Sequence, residues 1–283
     1  MNPGEREDFF SHQHSTVIEP PKGWHMLNWR ELWAYRELLW VLTARDVKVR
    51  YKQTVLGAAW AVLRPFLTML IFSVVFGRLA KMPSDGFPYP IFVYAALLPW
   101  TFFAAALSSS SQSLVGSAPL VSKVYFPRLI IPLSSVGSGL VDLLISTAIL
   151  LLMMLWYGVG WSLNLLAAPL LLMAVVFIAL GVGTLLSALT VAYRDFTHIT
   201  PFLVQIWMYV TPVIFPVSVV PARWQWVLYL NPMTGLVEGF RSAFLGKPFD
   251  LPGLGLSFAM AVIIFAVGVA YFEKVERRFA DII

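Results

Sequence analysis

Six stretches of this chain are almost uniformly apolar and about as long as a bilayer's hydrocarbon layer is thick: residues 56–76, 91–107, 131–156, 166–188, 202–220 and 254–272. A helix rises about 1.5 Å per residue, so crossing ~30 Å of hydrocarbon takes roughly 20 such residues. Inside that layer no water is at hand for backbone N–H and C=O groups, and a helix satisfies them within one segment. The expected fold is therefore an all-α membrane protein with six transmembrane helices. The second stretch reaches full length only if the serines at 108–111 belong to it, their hydroxyls bonding back to helix carbonyls. The fifth contains Pro212 and Pro216 and is expected to be kinked or broken.

Composition agrees: 59% of the 283 residues are hydrophobic and 12% charged, against roughly 25% charged in soluble domains. Cysteine is absent, which removes disulfides, thiolate nucleophiles and thiolate metal sites. Residues 1–28 form a polar tail with Glu5, Glu7, Asp8 and Glu19 and lack a signal-peptide pattern. Residues 29–55 contain an amphipathic interface helix. Arg30, Glu37, Arg45 and Lys48 share one side, Leu32, Tyr35, Leu39 and Leu42 the other, and Trp29, Trp33 and Trp40 suit the headgroup zone. Asp46 and Arg50 then land on the apolar side, which predicts a break after Ala44. The transmembrane domain occupies 56–273 and a short tail 274–283. With an even number of spans, 14 of the 20 Lys and Arg residues fall on the side of the termini and 5 opposite, Arg64 lying within the first span. That bias places both termini in the cytoplasm.

Chemistry-bearing motifs are few. No P-loop is present, and Gly181 and Gly183 lie within an apolar stretch, where small residues serve helix packing. The four histidines have no zinc spacing, and paired carboxylates are missing. Asp142 is the one acid deep in a span. It is either functional or paired inside the bundle near Ser138 and Ser146. The chain shows no internal repeat of the kind that marks secondary transporters.

Three connections carry more information. Residues 114–128 mix apolar and basic side chains, with Leu120, Lys123, Val124, Tyr125, Phe126, Pro127 and Arg128 at their end. This is either a surface that docks another protein or a stretch resting on lipid headgroups. A second short loop reads Tyr193-Arg194-Asp195. Residues 212–250 are too apolar for a solvated loop and read as short re-entrant or interfacial helices. They include Tyr229, Asn231, Pro232, Glu238 and Arg241, and Glu238 and Arg241 have the spacing of a helical ion pair. Aromatic residues make up 15% of the chain. Trp60, Phe66, Tyr94, Trp100, Phe103, Trp207, Tyr209 and Phe215 lie in or near spans, where flat rings can stack on sugar faces or simply pack.

Taken together these segments resemble the permease subunit of type-2 ABC exporters of lipid-linked polysaccharide, the O-antigen and teichoic-acid export family. The similarity is carried by Arg45-Asp46-Val47-Lys48-Val49-Arg50-Tyr51-Lys52-Gln53-Thr54-Val55-Leu56-Gly57 leading to Trp60 and Pro65, by Lys123-Val124-Tyr125-Phe126-Pro127-Arg128 with Pro132, by Tyr193-Arg194-Asp195, and by Tyr229-Leu230-Asn231-Pro232-Met233 with Gly239-Phe240-Arg241. The resemblance implies a homodimer in the bacterial inner membrane with two nucleotide-binding ATPase subunits beneath it. ATP and Mg would be held by those subunits, with no cofactor or metal on this chain and no role for nucleic acid. The 114–128 segment and the loop at 193–196 would meet the ATPases, the aromatic set would line the path, and Arg45, Lys48, Arg50 and Lys52 would meet the diphosphate of a polyprenyl-linked glycan or anionic membrane lipid. A capsule, drug or lipid permease of the same fold, a polytopic glycosyltransferase and an ion-coupled carrier are the alternatives. The last two are weakened by the scarcity of acids and bases within the spans.

Overall fold

The computed structural model describes residues 29–52, 59–276 and 279. Among these the regular elements are all helical. The polar tail 1–28, residues 53–58 of the lead-in to the first span, and Arg277 and Arg278 of the second tail lie outside the described residues. The helices are α1 (Trp29–Ala34), α2 (Arg36–Lys52), α3 (Ala59–Leu79), α4 (Tyr89–Gly116), α5 (Ala118–Lys123), α6 (Ile130–Tyr157), α7 (Ala168–Ala192, behind a 3-10 turn Leu163–Ala167), α8 (Phe196–Val210), α9 (Ala222–Tyr229), α10 (Pro232–Leu245) and α11 (Leu251–Glu276).

Among the described residues five helices are long and apolar enough to cross a membrane: α3, α4, α6, α7 with its 3-10 lead-in, and α11. The sixth expected span, 202–220, is not one helix. α8 ends at Val210, Thr211 is extended, and the chain turns through Pro212 and Pro216. Proline has no N–H to continue a helix and disfavours helical backbone in the residue before it. The second stretch does extend through its serines, and Ser108 and Ser111 donate to the carbonyls of Ala104 and Ser108.

The interface segment also departs from expectation. Its break falls at Tyr35, between α1 and α2, and α2 runs unbroken past Ala44 to Lys52. Asp46 and Arg50 disrupt the amphipathic pattern because that face of α2 packs on α6. Ser134 Oγ donates to Asp46 at 3.4 Å, and Arg50 reaches both Ser138 and Asp142. The step from Asp46 to Arg50 matches the step from Ser134 to Ser138, so the two helices lie side by side.

α4 is the hub, packed against α6, α7 and α10, with α11 laid along α7. Glycine permits the closest crossing. A Cβ at Gly268 of α11 would sit 2.0 Å from the Gly181 carbonyl oxygen of α7. Buried side chains form two clusters. The larger runs through α4, α6, α7 and α10. The smaller gathers at the end carrying α1, α2 and α5, around Leu42, Val121, Phe126, Ile131, Val191 and Phe272.

Candidate functional site

At the α5 end, Phe126 is 4% exposed and plugs the smaller cluster, where Phe272 and Phe279 meet edge to face at 5.3 Å. Two residues later the Arg128 backbone N–H donates to Glu276 Oε1 at 2.9 Å, and its guanidinium donates to the Glu276 carbonyl. Phe126 and Arg128 therefore face inward and clamp the segment to the end of α11. Lys123, Val124 and Tyr125 point away, with Tyr125 68% exposed, while Leu120 and Pro127 are half-buried. Tyr193, Arg194 and Asp195 are exposed at the same end, directly after Val191 of the smaller cluster. Sequence reasoning missed Glu276, because nothing in the pattern of a terminal helix distinguishes an acid that meets Arg128 from one that meets water.

The basic group divides as well. Arg45 is 2.8 Å from its neighbour Asp46. Arg50 Nη1 lies 2.5 Å from Asp142 Oδ2, and Nη2 donates to Ser138 Oγ at 3.0 Å. The Tyr51 hydroxyl donates to the other Asp142 oxygen. Lys48 and Lys52 are exposed. Asp142, one of two possibilities in the sequence, is thus paired across α2 and α6, and its partner is Arg50.

At the opposite end Arg241 is completely buried, an expensive position for a charge unless every donor is matched. Its Nη1 pairs with Glu238 Oε1 at 2.7 Å, three residues earlier on α10, as the spacing predicts. Nη2 donates to the Val213 carbonyl at 2.7 Å, and the guanidinium lies 3.8 Å from the Phe92 ring centroid. The broken segment after α8 is thereby held by a fully buried arginine. Asn231 completes the hold. Its Oδ1 accepts Trp207 Nε1–H at 2.8 Å and caps the Met233 N–H, and its Nδ2 donates to Thr211. Pro232 follows at the first helical position, where a missing N–H costs nothing. A cavity of about 190 Å³ opens beside α10, lined in part by Asp85, Ser218, Tyr229, Glu238, Ser242 and Lys247. Burial would raise the Asp85 carboxyl, but hydrogen bonds from Lys247 and Ser218 hold its pKa below the ordinary value. Burial, then donation to Asp250, pushes the Tyr229 phenol up.

The eight aromatics do not form one row in the protomer. Tyr94, Trp100 and Phe103 are core side chains. Trp207 packs edge to face on Phe103 at 5.0 Å, and Phe215 is half-buried. Trp60, Phe66 and Tyr209 are exposed. Packing claims the first three because α4 is surrounded on three sides.

A bundle of long apolar helices, a short helix and clamped loop at one end, and a broken segment closed by a buried arginine at the other describe a multi-pass membrane protein. The sequence matches the ABC-2 type transporter family over residues 37–245. The chain belongs to that family. Relatives include an O-antigen export system permease protein of Myxococcus xanthus, 30% identical over 257 residues, covering 89% of this chain and 97% of the relative. An O-antigen export system permease protein of Klebsiella pneumoniae is 28% identical over 248 residues, covering 87% and 95%. A polysialic acid transport protein of Escherichia coli is 23% identical over 243 residues, covering 83% and 92%.

Proposed function

We propose that this chain is the membrane-spanning subunit of an ATP-driven exporter that moves a polysaccharide, carried on a polyprenyl diphosphate, across the bacterial inner membrane. It is a transport subunit; ATP and Mg belong to two nucleotide-binding partners, and two copies of this chain enclose the path. The observation that carries the reading is the near-full-length similarity to permeases named for O-antigen export, joined to an α5 end built as a docking face. There Phe126 and Arg128 anchor a segment whose Lys123, Val124 and Tyr125 project outward beside Tyr193, Arg194 and Asp195.

The α5 end faces the cytoplasm in this reading, following the bias in Lys and Arg. α8 with the turn behind it makes the sixth crossing, and α9 and α10 are short re-entrant helices on the outer side. Trp60, Phe66 and Tyr209, exposed in the single protomer, face the glycan path between two copies. Tyr94, Trp100, Phe103 and Trp207 form the wall behind them. Tyr229, Asn231, Pro232, Glu238 and Arg241 fix the outer mouth.

Affinity capture of the chain from its native membrane tests this. The expected result is co-purification of an ATP-binding subunit in equal number and loss of surface glycan when the chain is deleted. A chain that purifies without an ATPase, or whose deletion leaves surface glycan unchanged, overturns the reading.

A further inference from the structure

Among the described residues two arginine–carboxylate pairs, Arg241–Glu238 and Arg50–Asp142, are buried or half-buried, and they differ in access. Arg241 is sealed, whereas the Arg50 and Asp142 side chains are 31% and 29% exposed in the protomer. Asp142 lies twelve residues into α6, about 18 Å along its axis from Ile130, and a carboxylate within a spanning helix is costly. Stability alone is a weak reason to keep such a pair, since apolar residues of like size often replace buried ion pairs without loss.

The surroundings of Asp142 are those of an anion site. Arg50 and the Tyr51 hydroxyl approach its two oxygens from different directions. The guanidinium is held in orientation by Ser138 Oγ, which is itself fixed by donating to the Ser135 carbonyl at 2.8 Å. A carboxylate offers acceptor oxygens, as phosphate does. A guanidinium binds phosphate with the same forked geometry it offers a carboxylate. Lys48 and Lys52 add positive charge on the exposed side of α2 and draw a multiply charged anion toward it.

We infer that Arg50 and Tyr51 form a phosphate site which the chain's own Asp142 occupies at rest, and that the diphosphate of a prenyl-linked substrate displaces Asp142 from Arg50. The inference rests on the polysaccharide-export reading and adds to it a gate. Once Arg50 turns to the phosphate, the strongest tie between α2 and α6 is gone and α2 moves off α6. Substrate arrival at Arg50 thereby becomes a change in helix packing.

The test uses the complete transporter with its ATPase subunits in nanodiscs and geranylgeranyl diphosphate as probe. Asp142→Asn removes the internal competitor and is expected to tighten binding about tenfold. Arg50→Gln is expected to weaken it at least tenfold, and the double variant to bind no better than Arg50→Gln alone. Folding of Asp142→Asn is checked by size exclusion. A second measurement leaves both residues native: in an Asp46→Cys/Ser134→Cys variant, made in a chain that has no cysteine, the probe is expected to lower disulfide yield between α2 and α6 severalfold. Equal affinity of Asp142→Asn and the parent, or an unchanged disulfide yield, overturns the displacement. If Arg50→Gln still weakens binding in that case, the diphosphate entrance stands without the gate. If no form binds the probe while glycan export continues, both the gate and the lipid linkage fall and export itself stands. Inorganic pyrophosphate and phosphatidylglycerol-rich nanodiscs serve as arms. Displacement by the prenyl diphosphate alone assigns the site to that headgroup. Equal displacement by pyrophosphate supports the site and assigns it to free phosphate. Loss of the Asp142→Asn effect in phosphatidylglycerol supports the site and assigns it to bulk anionic lipid.

Discussion

α3 and α4 are consecutive spans of nearly equal mean hydropathy, yet 11% of the most apolar window of α3 is buried in the protomer against 78% of that of α4. Hydropathy reports which solvent a helix tolerates, not which neighbours it has. In lipid there is no hydrophobic gain in leaving acyl chains for another helix, so association depends on close fit and polar contacts. α4 has both. Its buried stripe contains Ala95, Ala96, Ala106, Ser110, Ser111 and Ser113, small enough for α6, α7 and α10 to approach. α3 presents Leu67, Leu70, Ile71 and Val74 outward, which suit acyl chains or a second copy of the chain.

The comparison can be broken most severely where backbones touch. Gly268→Leu forces α11 away from the Gly181 carbonyl, and folded protein in the membrane is expected to fall more than tenfold by immunoblot; Leu70→Trp on α3 is expected to accumulate normally. Equal accumulation of the two would mean that the burial contrast carries no energy. Next in size is Arg241→Ala, which strands Glu238 and three backbone carbonyls. Its expected cost is about 3–5 kcal/mol, measured by thermal unfolding in detergent, with Glu238→Gln smaller. Tyr125→Ala is expected to lower ATPase co-purification with no change in that unfolding temperature, whereas Glu276→Ala should lower both; a Tyr125 variant that copurifies fully removes the docking face. On α3, a lone Leu70→Cys in the cysteine-free chain is expected to cross-link copies under mild oxidation, while Ala96→Cys on buried α4 is not.

The smallest effect concerns pH. The Asp85 pKa is lowered in the folded protein, so its stabilising contribution is present above the ordinary carboxylate pKa and fades as pH falls through the folded value. Asp85→Asn should therefore lower the unfolding temperature at pH 7 by a small amount, and the gap should begin to narrow as pH falls below roughly 4. A gap that stays the same from pH 7 down to the lowest pH at which the protein remains folded would mean that Asp85 acts through shape alone.

Much of the architecture was legible because spanning length and backbone satisfaction leave few options. The helical class, the serine-rich extension of α4 and the Glu238–Arg241 pair all follow from local spacing. The glycine crossing was legible as a packing site but not as a contact between Gly181 and Gly268, which lie 87 positions apart. Arg50 and Asp142 show the limit most clearly. On a helical wheel Arg50 looks like a defect in α2, and only α6 beside it turns the defect into a register. The same blindness hid Glu276 and grouped Tyr94, Trp100 and Phe103 with exposed rings, since a ring in a span has the same one-dimensional context whether α7 or open space faces it.

The division of the interior into two clusters bears on how motion spreads. Leu133 and Phe265 are the partly buried side chains that touch both, so they form a narrow seam between a large body and a small one. A small cluster can open and repack at a fraction of the global unfolding free energy. Opening of the small cluster is therefore expected to precede any deformation of the large one. Hydrogen exchange in Ala118–Lys123 and the last turn of α11 should consequently outpace exchange in α4 by orders of magnitude.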